Sequence, residues 1–358
     1  MLQPVFDAFG ISKHINDAVP FGSGLINNTW KINVGDKNFI LQKINTNVFK
    51  QPDAIAYNIN LVGQYLLANF PSYRFVMPVT SVYKKDIFYD GNEGYFRLMP
   101  FVENSHTIDV VNDPDMAYEA AKQFGRFTKL LCGFDASKLK ITLPDFHNLT
   151  YRYQQFEETL SQASHEKILQ SQNLIDAAFN HKEIVDEFEK IKSNPQFKLR
   201  VTHHDTKISN VLFDENNKGL CVIDLDTMMP GYFISDLGDM LRTYLSPVSE
   251  EEKDFSKIEI RDEYFVSIIK GYLGELHDEL TSAEKEHFVY AGKFMIYMQA
   301  IRFLSDHLNN DIYYGARYPN HNLVRAGNQF QLLERLNEKE KCLQEYVESI
   351  AATPCTIN

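Results

Sequence analysis

The sequence predicts an α+β fold in two lobes: a small β-rich lobe over residues 1–102 and a large, mainly helical lobe over residues 103–358. Three observations carry this. The first hundred residues are dense in strand and turn signals, apolar residues recur at helical spacing after Phe101, and a strand-rich stretch over residues 198–225 interrupts the helices. Strands and helices do not alternate throughout, as they would in a doubly wound sheet.

In chain order, the segments TWKINV (29–34) and NFILQKI (38–44) are rich in aromatic and β-branched residues. Gly35, Asp36 and Lys37 between them predict a hairpin with a three-residue connection. Ile55, Ile59, Val62 and Leu66 keep helical spacing, which predicts a helix over 53–69. Further strands are expected over 75–83 and 95–101. Ala117, Ala121, Phe124, Phe127 and Leu131 form an amphipathic stripe. Residues 151–193, polar with sparse apolar positions, predict one or two long surface helices ending before Pro195. Short strands follow over 198–202, 211–213 and 219–225, and helices occupy the chain beyond Pro230.

Composition narrows the class. The 358 residues suggest two compact units or one large two-lobed one. Hydrophobic residues make up 44% and charged residues 23%, which argues against dominant disorder. Thirty-six basic against 48 acidic residues leave a net charge of −12, the wrong sign for a dedicated nucleic-acid binder. Cys132, Cys221, Cys342 and Cys355 form no CxxC pair, which speaks against a disulfide scaffold or structural zinc. The N-terminus lacks the pattern of a secretory signal and no apolar run is long enough for a membrane span. A cytoplasmic enzyme acting on a small molecule, without nucleic-acid or membrane partners, is the expectation.

The densest polar chemistry lies in His203-His204-Asp205-Thr206-Lys207-Ile208-Ser209-Asn210, between a short apolar strand and the next. A second strand then leads to Ile223-Asp224-Leu225-Asp226. Phosphoryl transfer from a nucleotide needs such groups: one carboxylate to orient and deprotonate the attacking hydroxyl, and a carboxylate with an amide oxygen to hold Mg²⁺ against the phosphates. Lys207, two residues beyond Asp205, is placed to neutralise developing charge. The His204-Asp205 dipeptide also occurs in metal phosphohydrolases, but these carry it on a helix, whereas here a strand precedes it.

H-x-D-x-K-x-x-N followed by a strand ending in Ile-Asp resembles the catalytic and metal loops of the protein-kinase-like superfamily. Within it the chain resembles the aminoglycoside-phosphotransferase and choline-kinase group. The segments GSGLINNTW (22–30), FILQKINTNVFK (39–50), HHDTK (203–207) and IDLDTMMPG (223–231) are similar to those of bacterial N-acetylhexosamine 1-kinases. The resemblance implies a bilobal protein-kinase-like fold and phosphorylation of the anomeric hydroxyl of a sugar, with ATP as co-substrate and Mg²⁺ as cofactor. It implies that Asp205 is the base, that Asn210 and Asp224 are the metal ligands, that His203 braces the catalytic loop, and that Asp236 ties this loop to the following helix. Asp226 is either a further metal ligand or a partner for a sugar hydroxyl.

On the nucleotide side, Gly22, Ser23 and Gly24 resemble a phosphate-covering loop. Asn27 then either donates to phosphate or sugar or closes a turn. Gln42 and Lys43 compete for the place of the β-strand lysine, and their side chains leave opposite faces of the strand. Lys43 is favoured, although residues 53–69 hold no glutamate to pair with it. Met99, Phe101 and Val102 belong to the expected hinge for adenine. Arg242, Arg302, Asp306 and Tyr314 join Asp226 as candidate acceptor contacts, with a structural ion-pair network as the competing role for the charged ones. A kinase of choline, homoserine or an aminoglycoside, or a catalytically silent sensor, is the alternative.

Overall fold

The computed structural model describes residues 2–12, 15–22 and 26–352. The chain divides into two compact units. One comprises Met1–Thr107, Leu130–Pro144 and Asn210–Pro230; the other comprises Ile108–Lys129, Asp145–Ser209 and Gly231–Asn358. The elements begin α1 (Gln3–Ala8), β1 (Ile15–Pro20), β2 (Asn28–Val34), β3 (Lys37–Lys43), α2 (Pro52–Asn69), β4 (Phe88–Asp90) and β5 (Gly94–Pro100). Then come α3 (Pro114–Leu130), α4 (Leu149–Gln162), α5 (His165–Asn180), α6 (Glu183–Ser193), β6 (Arg200–Thr202), β7 (Val211–Phe213) and β8 (Gly219–Val222). The rest is helical: α7 (Phe233–Tyr244), α8 (Asp262–Leu276), α9 (Ser282–Glu286), α10 (Phe288–Leu308) and α11 (His321–Ala351).

The first unit is built on an antiparallel sheet of order β1-β2-β3-β5-β4. Because side chains alternate along a strand, the sheet has two different faces. Ile32, Leu41, Phe96 and Leu98 line one, and Val5, Phe9 and Ile11 from α1 and its exit close over them as a buried cluster. The other face carries Ile40 and Gln42 from β3, directly opposite Met99 and Arg97 of β5. The β2–β3 turn has two residues rather than three: Val34 pairs with Lys37, and Gly35 takes φ +59° where a tight turn requires it. Residues 75–83 form no strand; Pro78 lacks an N–H, while the Val79 N–H reaches across to Leu98 (2.7 Å).

In the second unit, α10 is largely apolar and most of its residues are buried, as expected of a helix at the centre of a bundle. Residues 151–193 fall into three helices rather than one or two. Ser164 accepts the Lys167 N–H and so starts α5 afresh, and the chain turns again at His181. Among the described residues no helix is long and apolar enough to cross a membrane.

Candidate active site

β6 is buried along its whole length and delivers His203 into a fixed loop. Asp236, in the first turn of α7, accepts two consecutive backbone N–H groups, His203 to Oδ2 (3.0 Å) and His204 to Oδ1 (2.7 Å). His204 sits at φ +66°, a conformation that costs free energy for a non-glycine residue and persists only under such restraint. The imidazole of His203 stands edge-on to Phe124, and its Nδ1 faces the Asp205 N–H at 3.3 Å. Thr206 is clamped on every side: its N–H donates to Asp239 (2.8 Å), its hydroxyl to the Asp236 carbonyl (2.8 Å), and its carbonyl accepts from Tyr244 (2.5 Å). The side chains on either side of it remain reachable. Asp205 is 23% exposed and Lys207 55%, with 3.4 Å between Nζ and Oδ1.

Electrostatics follow from burial. Burial raises the Asp236 carboxyl from 3.8 to about 6, against the pull of His203 and the two N–H donors. Asp239 is raised by burial too, against the attraction of Arg242. Lys207 is raised, chiefly by the Asp205 carboxylate beside it.

Asn210 and Asp224 flank the β7–β8 ribbon of the first unit. Val211 pairs with Val222, and the Ile223 N–H donates to the Asn210 carbonyl (2.9 Å), so the ribbon brings the two residues to one end. Asp224 has φ +60°. An amide oxygen and a carboxylate are hard donors that suit Mg²⁺, which keeps waters and takes further oxygens from phosphates.

Of the two candidates on β3, Lys43 lies apart from Gln42. Strand parity sends it to the α1 face, where it pairs with Glu93 (3.0 Å). Gln42 lies on the other face and accepts from Arg97 Nε (2.8 Å). Arg97 also binds Asp226 through Nη1, and both partners are nearly inaccessible, at 4% and 2%. Asn27 donates to Asp226 Oδ2 (2.8 Å) and accepts the Asn45 N–H (3.0 Å), so its amide braces the site from within the protein. Gly22 takes φ +82°; Ser23 and Gly24 lie outside the described residues. Met99, Phe101 and Val102 are half-buried, and Phe101 packs edge-on against Phe21.

Of the candidate acceptor contacts, three are committed to the protein. Asp226 serves Arg97 and Asn27. Arg242 bridges Asp239 (3.2 Å) and Glu250 (2.9 Å). Asp306 accepts the N–H groups of Tyr313 (2.7 Å) and Tyr314 (2.8 Å) and the Asn322 amide (3.0 Å), which shapes that loop. Arg302 and Tyr314 come together: the guanidinium lies 5.5 Å from the tyrosine ring, and Gln299 links the two side chains. Arg152 and His147 share this region and escaped sequence reasoning. The His147 Nδ1 and Arg152 Nε are buried without a partner among the described residues, and burial followed by the nearby His204 holds His147 well below its ordinary pKa.

Asn58 of α2 was missed too. Its amide binds the Lys140 N–H and carbonyl (both 2.8 Å) and the Met228 carbonyl (3.0 Å), which anchors α2.

The model of the phosphotransferase enzyme family matches residues 17–263. Among solved structures the chain is similar to an aminoglycoside phosphotransferase from Alicyclobacillus acidocaldarius (11% identity, 98% of this chain and 97% of that one, TM-score 0.63). It is similar to the amicoumacin kinase hAmiN, solved with AMP-PNP, Ca²⁺ and Ami (13% identity, 93% and 92%, TM-score 0.63). A microcompartment-associated aminopropanol kinase also matches (14% identity, 96% and 97%, TM-score 0.61). Such identities establish the α+β fold shared with these proteins, while the family match spans most of the chain: this protein belongs to the phosphotransferase enzyme family, within the protein-kinase-like superfamily.

Proposed function

We propose that the chain is a cytoplasmic, ATP- and Mg²⁺-dependent kinase that phosphorylates the anomeric hydroxyl of an N-acetylhexosamine, giving the sugar 1-phosphate. The observation that carries this reading is the accessible Asp205–Lys207 pair on a loop whose backbone is locked by Asp236 and Asp239. Asp205 accepts the proton of the attacking hydroxyl as its oxygen bonds to the γ-phosphorus and the bond to the ADP oxygen breaks. Lys207 offsets the negative charge that moves during transfer. Asn210 and Asp224 would hold Mg²⁺, which when bound would neutralise charge on phosphate oxygens. Met99, Phe101 and Val102 in the lobe over residues 1–102 receive the adenine.

Arg302 and Tyr314, with His147 and Arg152 nearby, favour an oxygen-rich neutral acceptor. Neither arginine makes an ion pair with a described carboxylate, and their guanidinium groups suit carbonyl and hydroxyl oxygens. A polycationic aminoglycoside or choline would meet like charge there.

An ADP-release assay with Mg-ATP against N-acetylglucosamine, N-acetylgalactosamine, glucose, galactose, choline, homoserine and kanamycin tests the reading, with phosphorus NMR on the product. Turnover of an N-acetylhexosamine with a new anomeric phosphate signal supports it. Turnover confined to choline, homoserine or kanamycin overturns the sugar assignment and keeps the kinase; no turnover at all favours a sensor.

A further inference from the structure

The kinase reading leaves a gap on the nucleotide side: β3 offers glutamine at the place of the phosphate-binding lysine, and α2 offers no glutamate. We infer that Arg97, carried by the neighbouring strand β5, is the phosphate-side cation of this site, and that Asp226 positions it.

Register is the first support. Arg97 lies directly across from Gln42, on the sheet face opposite the α1 cluster, and one strand repeat beyond the apolar Ile40–Met99 pair. An adenine held against Ile40 and Met99 would send its phosphates along the strands towards Gln42 and Arg97. The second support is the company Arg97 keeps. Its carboxylate partner stands two residues after Asp224, so the ion pair joins the sheet to the segment that carries the metal-binding carboxylate. Third, its donors are not exhausted. Nε serves Gln42 and Nη1 serves Asp226, while Nη2 has no partner among the described residues. A guanidinium held rigid on two sides with a donor left over is suited to phosphate oxygens, which its planar fork can meet in a geometry that an ammonium lacks. Finally, Lys43, the obvious rival, is on the wrong face and engaged with Glu93.

In a protein kinase one lysine–glutamate pair both contacts the phosphates and ties the helix to the sheet. Here the two tasks are divided. Arg97 and Asp226 take the first, and Asn58 ties α2 to the backbone at Met228.

The test measures Mg-ATP and adenosine affinity by calorimetry for the whole chain and its variants. Arg97→Met should weaken Mg-ATP about 10- to 100-fold, the loss expected for charge-assisted hydrogen bonds, and leave adenosine within about twofold. Because that change strands Asp226, the double variant Arg97→Met/Asp226→Asn is measured beside it, and Arg97→Lys keeps the ion pair while removing the fork. For Arg97→Lys a three- to tenfold loss of Mg-ATP affinity is expected, again with adenosine unchanged. Wild-type Mg-ATP affinity in any folded Arg97 variant overturns the inference, as does a large loss in Lys43→Met. The inference rests on the kinase reading, and the two fail differently: if the wild-type chain binds neither ligand, both fall, whereas tight binding that ignores Arg97 sinks only this one.

Discussion

Asp236→Asn separates what the catalytic loop costs from what it does. The carboxylate accepts the N–H groups of His203 and His204, one on each oxygen, and it is fully enclosed. The amide has one acceptor oxygen, so one of the two N–H groups must face an NH₂ instead. That releases the restraint on His204, whose left-handed backbone needs it. With Asp205 as the proposed base, turnover at pH 7 should fall by tenfold or more, since misplacing a reacting group by about 1 Å can cost about a hundredfold. Stability should respond differently. The folded carboxyl holds its proton up to about pH 6, against 3.8 as the ordinary value. Between these limits the folded state binds more protons than the unfolded one, so this group's contribution to stability falls as pH rises from about 4 to about 6 and is level above. This loss is worth about 3 kcal/mol. The variant has no such titration, so it should gain about 3 kcal/mol on the wild type between pH 4 and pH 7. Urea denaturation of both proteins at half-unit pH steps reads this difference, in which groups common to both cancel. Parallel stability curves would show that the buried charge is not penalised and would refute the account; undiminished turnover in the variant would refute the role of the two N–H contacts.

Asp205→Asn should abolish turnover and leave Mg-ATP affinity and the unfolding midpoint near wild type; an active variant would remove Asp205 from its role as base. Gly231→Ala drives a Cβ into the buried Thr202 hydroxyl and His204 ring, so these side chains must give way. A loss of about 1–3 kcal/mol in thermal or urea unfolding is expected, accompanied by lower kcat. On the proposed mechanism Asn210 and Asp224 would meet the phosphates only through the ion, so chelation with EDTA should stop turnover and added Mg²⁺ restore it, while adenosine affinity stays unchanged.

What was legible in the sequence was local. His203, Asp205, Lys207 and Asn210 lie within eight residues of one another, and their strand–loop–strand setting is readable from apolar runs and turns. The helices with strong periodicity, α2 and α3, appear where spacing put them. Failures came where a local signal competed with a cap or an imide: Ser164 splits one apparent helix from the next, and Pro78 disqualifies an apolar run as a strand.

The nucleotide side was illegible for a different reason. The choice between Gln42 and Lys43 depends on which face of the sheet α1 covers, and α1 is set by Val5 and Phe9, far from either in sequence. Arg97 and Asp226 are 129 residues apart, and nothing near either one announces the other. Each alone has an ordinary explanation, Arg97 as a strand residue and Asp226 as one more acidic group near a metal loop. Only the β3–β5 register, together with the burial of both partners, makes them a pair. A buried charge without its partner costs several kcal/mol, so neither residue can be changed without consequence for the other. That coupling gives a direct check on the assignment of faces: a double-mutant cycle on Arg97 and Asp226 should show strong coupling, and one on Lys43 and Asp226 should show none.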